Sequence, residues 1–243
     1  MTTYIFCISL KKNHNQKTIV LRKKIDETEV LEIIEDKKTA LFKSLFSRPK
    51  KTDIHIHSIK LYYECILMIS GKYMANYFRK ATHSISVHSN VSEVVLGDGT
   101  FPVRTKSNFK KAIVGKRGKN KVDLKLEEHV FVENEDELTF DHHGREIKFP
   151  FKLNSKTTEN YPNRVLEKNA SNVKNSELTH DDVIKKLQIS LKKPLQDEVR
   201  KLEEEFVLRE ISEVFVPIYE ARLIGPKKKV AIIRIDSVRN KIL

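Results

Sequence analysis

The stretch that decides the fold is residues 54–70, IHIHSIKLYYECILMIS. It is rich in Ile and Tyr, which favour β-strands, and it is long enough for one bent strand or two. Similar apolar runs follow at short spacing as far as residue 151, with no helical pattern between them. Runs of strands without intervening helices predict antiparallel pairing.

Glycines mark the turns predicted along this β-rich region. Gly71 is expected to turn the chain into a second strand, and the glycines of GDG at 97–99 to adopt positive φ. Residues 110–132 are predicted to form a hairpin with a basic tip. Residues 137–151 are predicted to form another hairpin, with Gly144 in the left-handed conformation.

The residues before this region predict a hairpin and a helix. Two apolar runs within residues 4–23 flank the polar KKNHNQK sequence at 11–17, which is expected to form a turn. Residues 26–46, DETEVLEIIEDKKTALFKSLF, carry apolar side chains near helical spacing. Asp26 is expected to cap this helix and Pro49 to stop it.

The C-terminal part predicts two helices and a hairpin. Thr179 is expected to cap the helix THDDVIKKLQISLKK, with Asp182 at its third position. Two closing strands flank the GPKKK turn at 225–229. A second helix is predicted over 194–211, where a stripe of apolar residues at helical spacing consists of Leu195, Val199, Leu202 and Phe206.

Together these elements predict an α+β protein. We expect a mostly antiparallel β-rich body with an early amphipathic helix, and a C-terminal helix pair followed by a closing β-hairpin. The body is expected to span residues 1–152. Residues 153–178 are polar and lack periodicity, so they predict a linker or surface excursion. Residues 179–243 hold the helix pair and hairpin, which are expected to pack on the body.

The composition indicates a globular intracellular protein. Its 243 residues, 39% of them hydrophobic, suit one large domain or two small ones. Two cysteines do not make a disulfide framework, which favours a reducing compartment and a cytoplasmic location. No stretch approaches the roughly 20 apolar residues that cross a bilayer, and the start lacks the features of a signal peptide. No membrane span is therefore expected.

An acid and two histidines at alternate positions, Asp53, His55 and His57, are residue types that bind metals. The histidine pair resembles that of amidohydrolases and of the polymerase-and-histidinol-phosphatase type of metal phosphoesterase, which implies a metal-dependent hydrolase. Those families need further ligands around a barrel of alternating strands and helices, and this sequence lacks that alternation. The favoured interpretation is the exposed start of a strand that continues into the core.

The sequence FDHHGREIKF at 140–149 resembles a second metal-binding family, the DHH phosphoesterases. That family also needs aspartate motifs on earlier parallel strands, and nothing upstream supplies them. A hairpin loop at residues 141–144 accounts for the same residues. No metal and no cofactor are therefore expected. Since GxSxG, P-loop and GxGxxG motifs are also absent from the sequence, no catalytic residues are predicted and the protein is not expected to be an enzyme.

Positive charge at the turns is the strongest functional signal. The chain has 46 Lys and Arg against 33 Asp and Glu, a formal charge of +13. Such an excess attracts nucleic acid or an acidic protein surface. The basic sequences lie at 48–51, 115–121 and 225–229. The residues predicted to contact nucleic acid are Lys110, Lys111, Lys116, Arg117, Lys119, Lys121, Lys227, Lys228 and Lys229.

The alternative function is a protein–protein adaptor or assembly module of a larger complex. In that interpretation the lysine-rich turns are solvated and prevent edge-to-edge aggregation of strands. Salt-sensitive binding to mixed nucleic acid would favour the first function. Capture of a protein partner that survives nuclease treatment would favour the second.

Overall fold

The structure is a computed structural model that describes residues 9–43, 49–103, 120–195 and 199–243. Within these residues the helices are α1 (Glu27–Leu41), α2 (Pro162–Lys168) and α3 (His180–Leu191). The strands are β1 (Ser9–Val20), β2 (His55–Val87), β3 (Glu93–Leu96), β4 (Gly99–Pro102), β5 (Asn120–Phe140), β6 (Val173–Lys174), β7 (Val199–Ile224), β8 (Val230–Asp236) and β9 (Lys241–Ile242). The predicted α+β fold with a mostly antiparallel sheet and a closing hairpin is confirmed.

The chain forms two compact units, and the long strands β2, β5 and β7 have residues in both. The described residues of the first unit are 9–10, 73–103, 120–134, 192–195 and 199–206. Those of the second unit are 11–43, 49–72, 135–191 and 207–243.

The main sheet has the strand order β5-β2-β7-β8-β9, and β1 also pairs with β7. Strands β7 and β8 are antiparallel, with Ile224 opposite Val230. The short strand β6 runs parallel to β2 and places Lys174 opposite Glu64. Residues 153–178, which carry no periodicity in the sequence, therefore contribute α2 and a sheet strand to the second unit.

Helix α1 covers one face of this sheet. Its start is fixed by a capping box, because Asp26 accepts the N–H groups of Thr28 and Glu29 while the Glu29 carboxylate accepts the N–H of Asp26. The predicted cap at Asp26 is therefore confirmed. Val30 and Ile34 are fully buried in a cluster that includes Leu223 from β7.

The opposite sheet face packs against the segment that follows β5. Ile66, Val216 and Ile218 are buried there, and Ile147 and Phe149 pack against them. Because successive side chains of a strand point to opposite faces, Ile218 belongs to this face while Tyr219 belongs to the α1 side.

The first unit has its own small core and one buried acidic contact. Val122, Leu124 and Val103 pack with residues around the β3–β4 hairpin. Glu204 on β7 is buried, and its Oε1 accepts the Tyr73 hydroxyl at 2.6 Å. Burial, together with this contact, raises the pKa of Tyr73, so the phenol stays neutral and donates.

Several predicted local features are confirmed. Thr179 and Asp182 form the expected capping box at the start of α3, with the Asp182 carboxylate 2.6 Å from the Thr179 hydroxyl. Gly97 has φ +57 in the two-residue turn between β3 and β4. The positive φ predicted for Gly99 is wrong, because this residue begins β4 and has an extended backbone. Gly144 has φ +77 in the loop after β5. These features depend on hydrogen bonds between residues a few positions apart.

Two predicted turns are wrong. Gly71 does not form a hairpin but lies buried inside the continuous strand β2. The polar sequence 11–17 is not a turn, because β1 runs through it and pairs with β7. Lys17 contacts Glu210 of β7 at 2.6 Å, so this polar side chain is compatible with a paired strand. The first predicted strand of that hairpin lies mostly outside the described residues.

The helix boundaries and the C-terminal helix pair also need correction. Helix α1 ends at Leu41 with Phe42 as its C-cap, well before Pro49. The second helix of the predicted pair is wrong, because residues 199–224 form the strand β7. Pairing of β7 with β2 outweighs the helix propensity of its Glu-, Leu- and Arg-rich start. No helix of the described residues is long and apolar enough to cross a membrane.

Candidate functional site

The turn between β7 and β8 presents three consecutive lysines to solvent. Its ends are joined by a 2.8 Å hydrogen bond from the Gly225 N–H to the Lys229 carbonyl. Lys227, Lys228 and Lys229 are all exposed. Lys227 and Lys228 have φ of 57° and 58°, in the left-handed region that lysine seldom adopts. The backbone of this turn is therefore strained at two of the three lysines that it presents.

This turn packs on the end of α1. A Cβ atom added to Gly225 would lie 2.5 Å from the Phe42 ring, so the ring occupies the space beside the glycine. Phe42 also packs against the buried cluster under α1. The next residue, Lys43, is exposed. The helix end and the lysine turn are therefore neighbours.

A second basic segment lies against the same helix. Lys50 and Lys51 are exposed, and the Lys51 ammonium lies 3.4 Å from the Asp36 carboxylate of α1. The buried Lys38 ammonium donates to the Ile54 carbonyl at 3.1 Å, which fixes the start of β2 on α1. We use the name α1 basic surface for Lys43, Lys50, Lys51, Lys227, Lys228 and Lys229.

Six further residues were predicted to contact nucleic acid, and the structure describes one of them. Lys121 is exposed at the start of β5, in the first unit. Five others lie outside the described residues: Lys110, Lys111, Lys116, Arg117 and Lys119. The described parts of two of the three predicted basic tips both contact α1, through Lys51 and through Gly225. These two tips lie far apart in the sequence, at 48–51 and 225–229.

Replacing Lys227 and Lys228 together with Gly should stabilise the protein. Glycine adopts positive φ without a Cβ clash, so we expect the free energy of unfolding to rise by about 1 kcal/mol. Urea denaturation measures this change. The matched control is Lys229→Gly, because Lys229 has φ −65 and glycine there only adds unfolded-state entropy. A stabilisation of similar size in the control would contradict the assigned strain.

The histidines of the opening stretch do not converge with Asp53. Asp53 belongs to a short 3₁₀ turn, where its carboxylate accepts the Lys50 N–H at 2.9 Å, and β2 begins only at His55. His55 and His57 are exposed, and the strand becomes buried at Tyr63. In the part of the chain that the structure describes, no group of three or more His, Cys, Asp or Glu side chains could hold a metal ion.

A buried charged cluster, which the sequence analysis missed, surrounds Glu64 on β2. Its carboxylate accepts from the Lys174 ammonium at 3.0 Å and from the Arg234 guanidinium. His142 Nδ1 lies 3.6 Å from the same carboxylate, and Glu220 lies 3.7 Å from Lys174. These five side chains come from β2, the loop after β5, β6 and the two strands of the β7–β8 hairpin. The available signal was Glu64 itself, an acid within the apolar run YYECILMI.

The protonation of this cluster follows from burial and charge. Burial alone would raise the pKa of Glu64, but the hydrogen bond from Lys174 and the charge of Arg234 lower it below its usual value, and His142 adds to this lowering once it is protonated in acid. Burial lowers the pKa of His142, so its imidazole is neutral at pH 7. Burial raises the pKa of Cys65 to about 12, which keeps this thiol protonated and unreactive.

The DHHG sequence acts as a turn that supports this cluster. Asp141 accepts the backbone N–H groups of His143 and Arg145 at 3.0 Å and pairs with the Arg145 guanidinium. The predicted turn is confirmed by these bonds. It directs His142 toward Glu64 and leaves His143 half-exposed beside Glu177.

Comparison of the chain with protein-family models, with curated protein sequences and with solved structures found no match. The function proposed below therefore rests on the residues of this chain alone.

Proposed function

We propose that this chain is a non-enzymatic binding protein that contacts a polyanion, most simply nucleic acid, through the α1 basic surface. The observation that carries the proposal is the contact of two lysine-rich segments with the same helix: Lys51 lies beside Asp36, and Gly225 lies against Phe42 at the helix end. Each segment alone is an ordinary solvated turn. With Lys43, which follows Phe42, they bring six exposed lysines to α1.

The charge balance of this surface supports an anionic partner. Asp36 pairs with Lys51 and offsets one ammonium, and Asp53 accepts a backbone N–H beside Lys50. The three turn lysines are exposed to solvent. Phosphates that replace counterions on such ammonium groups release those ions, which favours binding.

The residue types indicate contact with the phosphate backbone. Lysine is a flexible point charge that contacts phosphates, whereas bidentate recognition of base edges is more typical of arginine. The six residues of the α1 basic surface are all lysines. We therefore expect binding that depends strongly on salt and weakly on sequence. We also propose a reducing, cytoplasmic location, because the two cysteines of the sequence do not make a disulfide framework.

The test of this proposal is the salt dependence of DNA binding. We expect the triple change Lys227→Ala, Lys228→Ala and Lys229→Ala to weaken binding to a labelled mixed-sequence duplex. The slope of log affinity against log salt should fall by about 2.7, because each phosphate contact contributes about 0.9. Fluorescence anisotropy over a range of salt concentrations measures both quantities.

A matched control removes the same charge elsewhere in the second unit. Lys148, Lys152 and Lys156 are exposed and lie outside the α1 basic surface. Their change to Ala should leave the slope nearly unaltered. Equal loss of slope in the two triple variants would show that net charge, and not this surface, governs binding. Wild-type protein without salt-dependent binding would contradict the proposal itself.

The second candidate function is a protein–protein adaptor, and exposed apolar residues of the first unit favour it. The Val95 side chain in the β3–β4 hairpin and the Phe131 side chain on β5 are each 64% exposed. Exposed apolar side chains mark a contact surface where they form one continuous patch. Affinity purification of the native protein in nuclease-treated and untreated halves separates the functions. A stoichiometric protein partner that persists after nuclease treatment would favour the adaptor.

A further inference from the structure

A cavity of about 360 Å³ lies in the second unit beside the Glu64 cluster. Its apolar wall includes Ile66 and Ile218 from the sheet and Phe151 from the segment after β5. Its volume falls within the range of small-molecule sites, which begins at about 300 Å³. The charged wall carries three arginines, Arg145, Arg234 and Arg239.

Each arginine is paired with an acid on the same wall. Arg145 pairs with Asp141 at 2.6 Å, Arg239 with Asp236 at 2.6 Å, and Arg234 with Glu64. The formal charges of the three pairs cancel. The hydrogen bonds, however, do not use up both partners equally: the acids already accept several bonds, whereas the arginines keep N–H groups without an acceptor.

The acids are already well supplied with donors. Asp236 accepts the backbone N–H groups of Val238 and Arg239 at 2.9 and 3.0 Å, in addition to the Arg239 Nε. Asp141 accepts two backbone N–H groups as well as its arginine. Glu64 accepts from both Lys174 and Arg234. A ligand donor would therefore compete with existing bonds at every acid.

The arginines retain donors. Arg239 binds Asp236 through Nε, and within the described residues its two terminal nitrogens have no acceptor. Arg234 binds Glu64 through Nη2, and its Nε, which has no acceptor among the same residues, is buried and offers no accessible donor to the cavity. A guanidinium has five N–H donors, and its unused edge can bind a carboxylate. The side chains of the charged wall therefore offer unused hydrogen-bond donors, whereas their acceptors already have partners. Such a wall favours a ligand that supplies acceptors.

We propose that this cavity binds a small organic anion: a carboxylate held by the free guanidinium edges, with an apolar body against Ile66, Ile218 and Phe151. The Arg239 guanidinium lies 5.1 Å from the centre of the Phe151 ring. The charged and apolar walls are therefore adjacent, as the carboxylate and the hydrocarbon of such a molecule are. This site is separate from the α1 basic surface, and a cavity of this volume does not admit a nucleic-acid duplex.

Octanoate is a suitable probe. Octanol, which has the same chain length but no charge, shows how much of the binding depends on the carboxylate. Isothermal titration calorimetry of the full chain should show saturable binding of octanoate and at least about tenfold weaker binding of octanol, because octanol lacks the charge-assisted bonds. Arg239→Gln should weaken octanoate binding about tenfold and leave octanol binding nearly unchanged. Equal affinities for octanoate and octanol, or no saturable octanoate binding, would overturn the proposal.

Two further variants keep the result interpretable. Arg145 is mostly exposed, so Arg145→Gln should fold normally and still weaken octanoate binding. Arg209 is also exposed, pairs with Glu135 outside the cavity, and provides the control Arg209→Gln, which should bind octanoate as the wild type does. Equal weakening by Arg145→Gln and Arg209→Gln would overturn the assignment. DNA binding by the Arg239→Gln variant should be unchanged, so failure here is distinguishable from failure of the polyanion proposal.

Discussion

Replacing Glu64 with Ala should lower the free energy of unfolding by about 3 kcal/mol. The change removes the common partner of Lys174 and Arg234 and leaves their charges facing each other in a partly buried site. Removing one member of a buried ion pair costs roughly 3–5 kcal/mol. We expect the low end because the side chains of Lys174 and Arg234 are about one-third exposed. Urea denaturation gives the value.

The matched control for this prediction is Glu177→Ala. Glu177 also contacts a histidine, with an oxygen 2.8 Å from His143 Nδ1, but its side chain is 64% exposed. Exposed ion pairs contribute at most about 1 kcal/mol. A loss at Glu64 no larger than the loss at Glu177 would show that the buried cluster contributes little to stability.

The same residue links stability to acidic pH. The folded pKa of Glu64 is lowered because its contacts with Lys174, Arg234 and His142 outweigh the opposing effect of burial. A carboxyl group with a lowered folded pKa stabilises the protein above its unfolded pKa, and this contribution is lost as pH falls through the folded value. The Glu64→Gln variant should therefore lose less stability than the wild type between about pH 5 and pH 3. Parallel pH profiles would exclude this linkage.

The features that could be predicted from sequence are those decided by nearby residues. The capping boxes at Asp26 and Thr179 and the turns containing Gly97 and Gly144 follow from side chains within four positions. These features are held by hydrogen bonds between neighbouring residues, so they need few contacts with distant parts of the chain. The closing hairpin at the GPKKK turn belongs to the same class.

The wrong predictions concern segments that pair with distant strands. Gly71 follows the general preference of glycine for turns, yet the burial alternation Ile69, Gly71, Tyr73 continues through it without a change of phase. That unbroken period of two was present in the sequence and indicates one long strand. Glycine has conformational freedom, but freedom does not require a turn.

The candidate sites show the same division. Lysine-rich turns are visible in the sequence, but their convergence on α1 depends on the contact of Phe42 with Gly225, which no local pattern indicates. The Glu64 cluster joins β2, the DHHG turn, β6 and the β7–β8 hairpin. An isolated acid in an apolar run suggests a buried partner but does not identify it.

Leu208→Ala should destabilise the protein by about 3 kcal/mol, far more than Leu202→Ala. In β7 the fully buried Leu208 shares a face with Phe206, and removing its side chain leaves a cavity. Leu202 is only partly buried, so about 1 kcal/mol is expected for its truncation.

The order of these two effects distinguishes the strand from a helix. In the helix predicted from the apolar stripe, Leu202 would lie on the buried side four residues before Phe206, while Leu208 would lie well away from it. Urea denaturation of both variants therefore tests the conformation of this segment directly. A larger loss for Leu202 than for Leu208 would contradict the strand. Because β7 carries Ile218 of the cavity wall and leads into the lysine turn, that result would also weaken the basis for both proposed sites.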